Sequence, residues 1–111
     1  MSAEKVATRD GFVLGAQLFE ATERPRAIAV IVPALGVTQR MYRNFAASLA
    51  ASGIAAVTFD YRGMGESKPP RLRGFDATVT DWATLDLPAV IDFARERFDH
   101  LPVFAVGHSI G

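Results

Sequence analysis

Two short runs open the chain, Glu4 to Thr8 and Phe12 to Phe19, and the Asp10-Gly11 pair between them is a tight-turn signal, so the pattern predicts a β-hairpin. Ala27 to Val32 follows as an unbroken, β-branched apolar run stopped by Pro33, the pattern of a strand covered on both faces. Between Arg40 and Ser52 the apolar residues Tyr42, Phe45, Ala46 and Leu49 recur three and four apart, which predicts an amphipathic helix ending before Gly53. Ile54 to Phe59 reads as another buried strand. Asp60 to Ser67 is a loop, and Pro69-Pro70 forbids a helix directly after it. From Thr80 to Phe98 the residues Trp82, Leu85, Ala89, Phe93 and Ala94 fall on one helical face, with Pro88 expected to kink the helix or mark a late start within it. Pro102 to Val106 is a last short strand. Strands alternating with helices imply parallel pairing through right-handed crossovers, so the fold class is α/β: a mostly parallel sheet with an antiparallel N-terminal hairpin.

Composition narrows the function classes. Half of the 111 residues are apolar and 22% are charged, which predicts a packed core and at most one domain. Twelve basic side chains balance twelve acidic ones, so there is no electrostatic case for binding nucleic acid or an anionic membrane. With no cysteine, neither a disulfide framework nor a thiolate metal site is possible, and two histidines without a spaced carboxylate cluster give no metal site either. No cofactor is expected. The segment Met1 to Lys5 lacks the features of a targeting signal and no apolar run reaches about eighteen residues, so the expectation is a cytoplasmic protein without a membrane span.

The chemistry sits in Gly107-His108-Ser109-Ile110-Gly111. This is a Gly-x-Ser-x-Gly pattern, in which a serine on a sharp strand-to-helix turn presents its hydroxyl as a nucleophile while two glycines keep side chains out of the crowded turn. With glycine at about 7% of average usage and serine similar, such a pattern arises by chance in roughly one chain of this length in thirty, so the motif alone does not identify a function. Its context adds weight: Pro102 to Val106 runs directly into Gly107 as a buried-strand pattern. The glycines of the Asp60 to Ser67 loop do not make a phosphate cradle, because no Gly-x-x-x-x-Gly-Lys-Ser/Thr pattern is present and Gly63-x-Gly65 lacks a third glycine opening a helix.

The hairpin, the Asp-x-Arg-Gly-x-Gly-x-Ser loop at Asp60 to Ser67 and the serine motif after the fifth strand, taken in that order and spacing, resemble the N-terminal half of the α/β-hydrolase superfamily of serine hydrolases and esterases. On that resemblance residues 1–111 are a partial α/β-hydrolase domain reaching the nucleophile elbow. Ser109 is then the nucleophile that attacks the carbonyl of an ester, thioester or amide, and Ile110 supplies one oxyanion N–H at the start of a helix. The second donor comes from the loop after the third strand, here Pro33-Ala34-Leu35-Gly36, and falls on Leu35; relatives commonly carry His-Gly where this chain has Pro33-Ala34. The resemblance also implies that the Asp60 loop is architectural, with Asp60 and Arg62 tying down backbone, and that the triad acid and base follow the serine in the chain.

Neither histidine suits the base. His100 lies before the fifth strand and Ser109 after it, so an extended strand separates them by about 25 to 30 Å. His108 adjoins the serine, where the turn directs neighbouring side chains apart, and the resemblance implies that it packs beneath the elbow. The expectation is therefore a chain inactive by itself, part of a parent acting on a small-molecule acyl substrate. The fifth strand is expected to present an apolar edge, so the isolated chain self-associates or needs a complementary fragment. The alternative is a non-catalytic fragment or interaction module.

Overall fold

The computed structural model describes residues 1–34, 36–69 and 77–108. Its frame is one five-stranded sheet built from β1 (Ser2–Ala7), β2 (Val13–Phe19), β3 (Ala27–Val32), β4 (Ile54–Phe59) and β5 (Val103–Gly107), in the spatial order β1-β2-β4-β3-β5. β1 and β2 form the expected hairpin, closed where Gly11 N–H donates to the Thr8 carbonyl at 2.9 Å and Gly11 takes φ +86°. β2 also pairs antiparallel with β4, whereas β3 pairs parallel with both β4 and β5. All six residues of β3 are buried, as its unbroken apolar run predicts. The fold is the α/β arrangement read from the sequence, with strand limits shifted by one or two residues.

One helix covers each face. On the first, the short 3-10 turn Gln39–Tyr42 leads into α1 (Arg43–Ala51), and Tyr42, Ala46 and Ala50 pack with Phe19, Ile31 and Ala56. Phe45, expected on the buried face, is 46% exposed. The inward stripe runs through the small residues Ala46 and Ala50, four apart, which lets the helix lie close to the sheet.

On the second face, Thr78 and Asp81 form a reciprocal capping box that starts α2 (Val79–Asp81), a π-helical turn spans Trp82–Asp86, and α3 (Leu87–Arg97) follows. Pro88 explains the wide turn. It has no N–H to return to residue 84, and the adjoining Leu87 N–H reaches five residues back to the Trp82 carbonyl. The extra residue rotates the buried stripe to Asp86, Val90 and Ala94, with Trp82, Ala89 and Phe93 only partly buried against the core and Leu85 half-buried at its margin. Leu14, Leu18 and Phe59 are fully enclosed beneath this layer. Burial of each such side chain contributes roughly 1.5–3 kcal/mol.

β5 stands apart. It lies at the edge of the sheet, and in register Phe104 opposes Ala29 while Val106 opposes Ile31, so both project on the α1 face beyond the helix's cover. Phe104 is 56% and Val106 36% exposed, the open apolar edge that the sequence reading expects.

Candidate functional site

The parallel registers place the carboxyl ends of β3, β4 and β5 together, and in open α/β sheets ligands bind in the crevice outside these ends. Val32 pairs with Gly107 as the last rung between β3 and β5, and His108 N–H donates to the Val32 carbonyl at 3.4 Å. The chain leaving β3 and the chain leaving β5 therefore emerge side by side. The β3 loop turns back where Val37 N–H donates to the Ala34 carbonyl at 3.0 Å, with Gly36 at φ +79°, a left-handed conformation that glycine adopts at little cost. Ser109, Ile110 and Leu35, the candidate nucleophile and oxyanion donors, lie outside the described residues; their neighbours Ala34, Gly36 and His108 are described.

Tyr42 joins two of these neighbours, Ala34 and His108. Its hydroxyl accepts the Ala34 N–H at 2.9 Å and lies 2.8 Å from His108 Nδ1, with the two rings edge to face and centroids 5.6 Å apart. The tyrosine is itself buried. Its ring fills the α1 face of the core while its oxygen reaches the end of the sheet. The sequence marks Tyr42 only as an apolar position on a helix; its polar handle is what links the two loops.

A second polar set fixes the element that carries Tyr42. Asp60, at the end of β4, is buried and accepts N–H groups from Gln39 at 2.8 Å and Glu66 at 2.9 Å, while Gln39 Nε2 donates to the same carboxylate at 2.8 Å. Thr58 Oγ1 donates to Gln39 Oε1 at 2.7 Å, Ser67 Oγ donates to the Asp60 carbonyl at 2.5 Å, and Gly15 N–H donates to Ser67 Oγ at 2.9 Å. A carboxylate whose oxygens are all engaged by donors from the protein is a strut, and Asp60 ties down backbone as the resemblance implies. A Cβ at Gly65, where φ is +42°, would run into the Asp60 carboxylate, so the second glycine of the loop is there for room.

Arg62 plays a different part. Its guanidinium is pinned between Asp10, at 2.8 Å, and the fully buried Asp86, at 2.8 Å, and lies 4.8 Å from the centroid of the Phe12 ring. The backbone contacts run the other way: Arg62 N–H donates to Asp86 at 2.8 Å and Trp82 Nε1 donates to the Arg62 carbonyl at 3.1 Å. The hydrogen bond from Arg62 holds the Asp10 carboxyl well below the usual carboxylate range, and Asp10 in turn raises the guanidinium above its ordinary value. Beside the pair, burial and then the Asp86 charge push up the Tyr61 phenol, which stacks on Trp82 with centroids 4.7 Å apart. Asp86 and Gln39 were not singled out by sequence reasoning. A polar residue four before Val90 and eight before Ala94 on a core-facing stripe was the available signal for Asp86; nothing comparable marks Gln39.

His100 precedes β5, at the opposite end of the sheet from His108, and its exposed ring pairs with Asp99 at 3.0 Å. It is not brought to the candidate site. A cleft of about 480 Å³ lies between β1 and α3, lined by Thr8, Leu85, Pro88 and Phe93 with Lys5 and Asp92, at the edge of the sheet opposite β5. Among the described residues no three histidine, aspartate or glutamate side chains come together as a metal site, and no helix is long and apolar enough to cross a membrane.

Solved structures similar to this chain include esterases and a lipase. A thermostable carboxyl esterase from Bacillus coagulans superposes with a TM-score of 0.82 at 22% identity over 99% of this chain and 36% of its own. A soluble variant of monoglyceride lipase from Saccharomyces cerevisiae, in complex with a substrate analogue, gives 0.76 at 22% identity over 100% of this chain and 36% of its own. Est1E from Butyrivibrio proteoclasticus, with ferulic acid bound, gives 0.79 at 25% identity over 98% and 43%. The chain thus spans less than half the length of each. The family described as "Serine aminopeptidase, S33" (Hydrolase_4) matches residues 23–111, most of the chain. With a sheet, crossover helices and converging strand ends of the kind these relatives share, the chain belongs to that family and has the architecture of the amino-terminal part of an α/β-hydrolase.

Proposed function

We propose that this chain supplies the nucleophile half of a serine hydrolase that cleaves small acyl substrates, esters first, through an acyl-enzyme. The observation that supports it most directly is the convergence of the β3 and β5 carboxyl ends: the Gly-x-Ser-x-Gly segment begins at Gly107, paired with Val32 on the last rung, beside the loop containing Leu35. In this reading Ser109 Oγ bonds to the substrate carbonyl carbon as its proton passes to a histidine base, and the carbonyl electron pair moves onto oxygen. The backbone N–H groups of Leu35 and Ile110 hold that oxyanion. Collapse expels the alcohol, which takes the proton from the histidine, and water then hydrolyses the acyl-serine by the same steps in reverse.

The base and acid belong to sequence after Gly111. His100 stands at the wrong end of β5, and His108 Nδ1 is engaged by Tyr42. Hydrolysis of p-nitrophenyl butyrate by the full-length gene product, against its Ser109→Ala variant, tests the reading. Turnover is expected in the first and, in the second, a loss of at least about a thousandfold. Equal rates would remove Ser109 from the mechanism.

Phe104 and Val106, exposed on the α1 face of β5, and the outer edge of this strand, which has no partner among the described residues, favour a second reading for the 111-residue chain alone, an interaction module that associates through this edge with copies of itself or with a complementary fragment.

A further inference from the structure

The two oxyanion donors proposed above belong to separate segments, one after β3 and one after β5, and a hole made from two segments works only if their spacing is held before substrate arrives. The described residues contain one side chain that touches both. We propose that Tyr42 is a positioning residue whose hydroxyl fixes the β3 loop against the nucleophile elbow, by accepting from Ala34 N–H and donating to His108 Nδ1. The inference rests on the reading of Ser109 as nucleophile.

The direction of each bond follows from the donor inventory. A phenol oxygen has one proton to give and lone pairs to receive. Ala34 N–H, at 2.9 Å, can only donate. If His108 Nδ1 also donated, the phenol proton would be left without either partner. With the phenol donating at 2.8 Å, all three groups are used in one chain from Ala34 N–H through Tyr42 to His108, and the His108 proton sits on Nε2. Each end of that chain is the residue immediately before a proposed functional one: Ala34 before Leu35, and His108 before Ser109. Position matters here because a displacement of about 1 Å in such a site is worth about a hundredfold in rate.

The anchor is rigid enough for the task. The Tyr42 ring is buried among Phe19, Ile31, Ala46 and Ala50, and it closes the 3-10 turn that begins at Gln39, whose N–H and amide are both bound to Asp60. His108, by contrast, is held by its hydroxyl contact and the long 3.4 Å bond to Val32. A phenylalanine at position 42 keeps the packing and deletes only the bridge.

The test is steady-state ester hydrolysis by the full-length gene product, with melting temperature recorded to show that each variant folds. Tyr42→Phe is expected to lower kcat about tenfold with KM within about twofold, since a misplaced oxyanion donor is felt in the transition state more than in substrate binding. His108→Ala should give the same loss, the double variant little more than either, and His108→Asn, whose Oδ1 can accept where Nδ1 did, should recover most of it. If Tyr42→Phe does not fold, the His108→Ala and His108→Asn pair reads the same bridge from its exposed end. Wild-type kcat in Tyr42→Phe, or losses at 42 and 108 that simply multiply, would overturn the bridge while leaving Ser109 in place. Ser109→Ala hydrolysing at the wild-type rate would overturn the nucleophile reading and this inference with it.

Discussion

The two ends of the sheet are finished to different degrees. Around β1, β2 and β4 the polar groups close on one another: Asp60, Gln39, Thr58 and Ser67 form one complete set, and Asp10, Arg62 and Asp86 another, over a core containing Leu14, Leu18 and Phe59. Around β5 almost nothing is closed. Four of its five residues are exposed, its outer edge has no partner strand among the described residues, and there one tyrosine hydroxyl and one long backbone bond hold the residue that precedes the candidate nucleophile. The closed region is a scaffold that specifies where the strand ends go, and the open region is where the proposed chemistry and the proposed contact edge lie. In the proposed function, stability and activity thus fall to different sides of one sheet, which separate substitutions can test.

The largest effect is expected in the scaffold. Asp86→Asn leaves a buried guanidinium with the partly exposed Asp10 as its one carboxylate partner among the described residues, and should destabilise by about 3 kcal/mol, measured as a shift in the urea midpoint of the full-length protein followed by circular dichroism. An unchanged midpoint would show that the Arg62 lock is ornamental. Gly65→Ala should cost about 1–2 kcal/mol, because alanine at φ +42° is strained and its Cβ meets the Asp60 carboxylate. Both variants are expected to alter stability before they alter the relative rates on different esters.

A smaller change is expected at the open side. The 111-residue chain should sediment as an oligomer, and Phe104→Lys with Val106→Lys should shift it toward monomer without lowering its helical and strand content. A wild-type chain that is already monomeric with a sharp, reversible melt would count against the edge as a contact surface.

The smallest effect concerns acid. The Asp10 carboxyl is lowered by its hydrogen bond from Arg62, so its contribution is fully present above the unfolded carboxylate value of about 3.9 and is lost as pH falls below that toward the lowered folded value. Denaturation midpoints measured between pH 5 and 2 should therefore decline less steeply in Asp10→Asn than in the parent; identical slopes would contradict the assignment.

Elements whose signal is local were legible in the sequence. The β3 run, the Asp10-Gly11 hairpin and the crossover order all follow from patterns of a few residues, and the structure places them where those patterns say. What was not legible depends on contacts distant in the chain. Phe45 looks like a core residue by spacing, yet the helix turns its alanine stripe to the sheet and leaves Phe45 exposed. Asp86 looks like a misplaced charge on a helix until Arg62, twenty-four residues earlier, is brought to it by the loop after β4. The π turn before Pro88 moved the buried face by one position, a rotation that counting in steps of three and four cannot show. At the candidate site the sequence identifies the reactive residue type, but the tie between Tyr42 and His108 spans sixty-six positions and has no local signature.

In the proposed function the segment beginning at Gly107 presents a nucleophilic serine at the converging ends of β3 and β5. Incubating the full-length gene product with a fluorophosphonate and mapping the adduct by peptide mass spectrometry tests it directly. A single stoichiometric modification on Ser109 is expected, lost on heat denaturation before labelling and absent from Ser109→Ala. Labelling that persists in Ser109→Ala, or that falls on another residue, would contradict it.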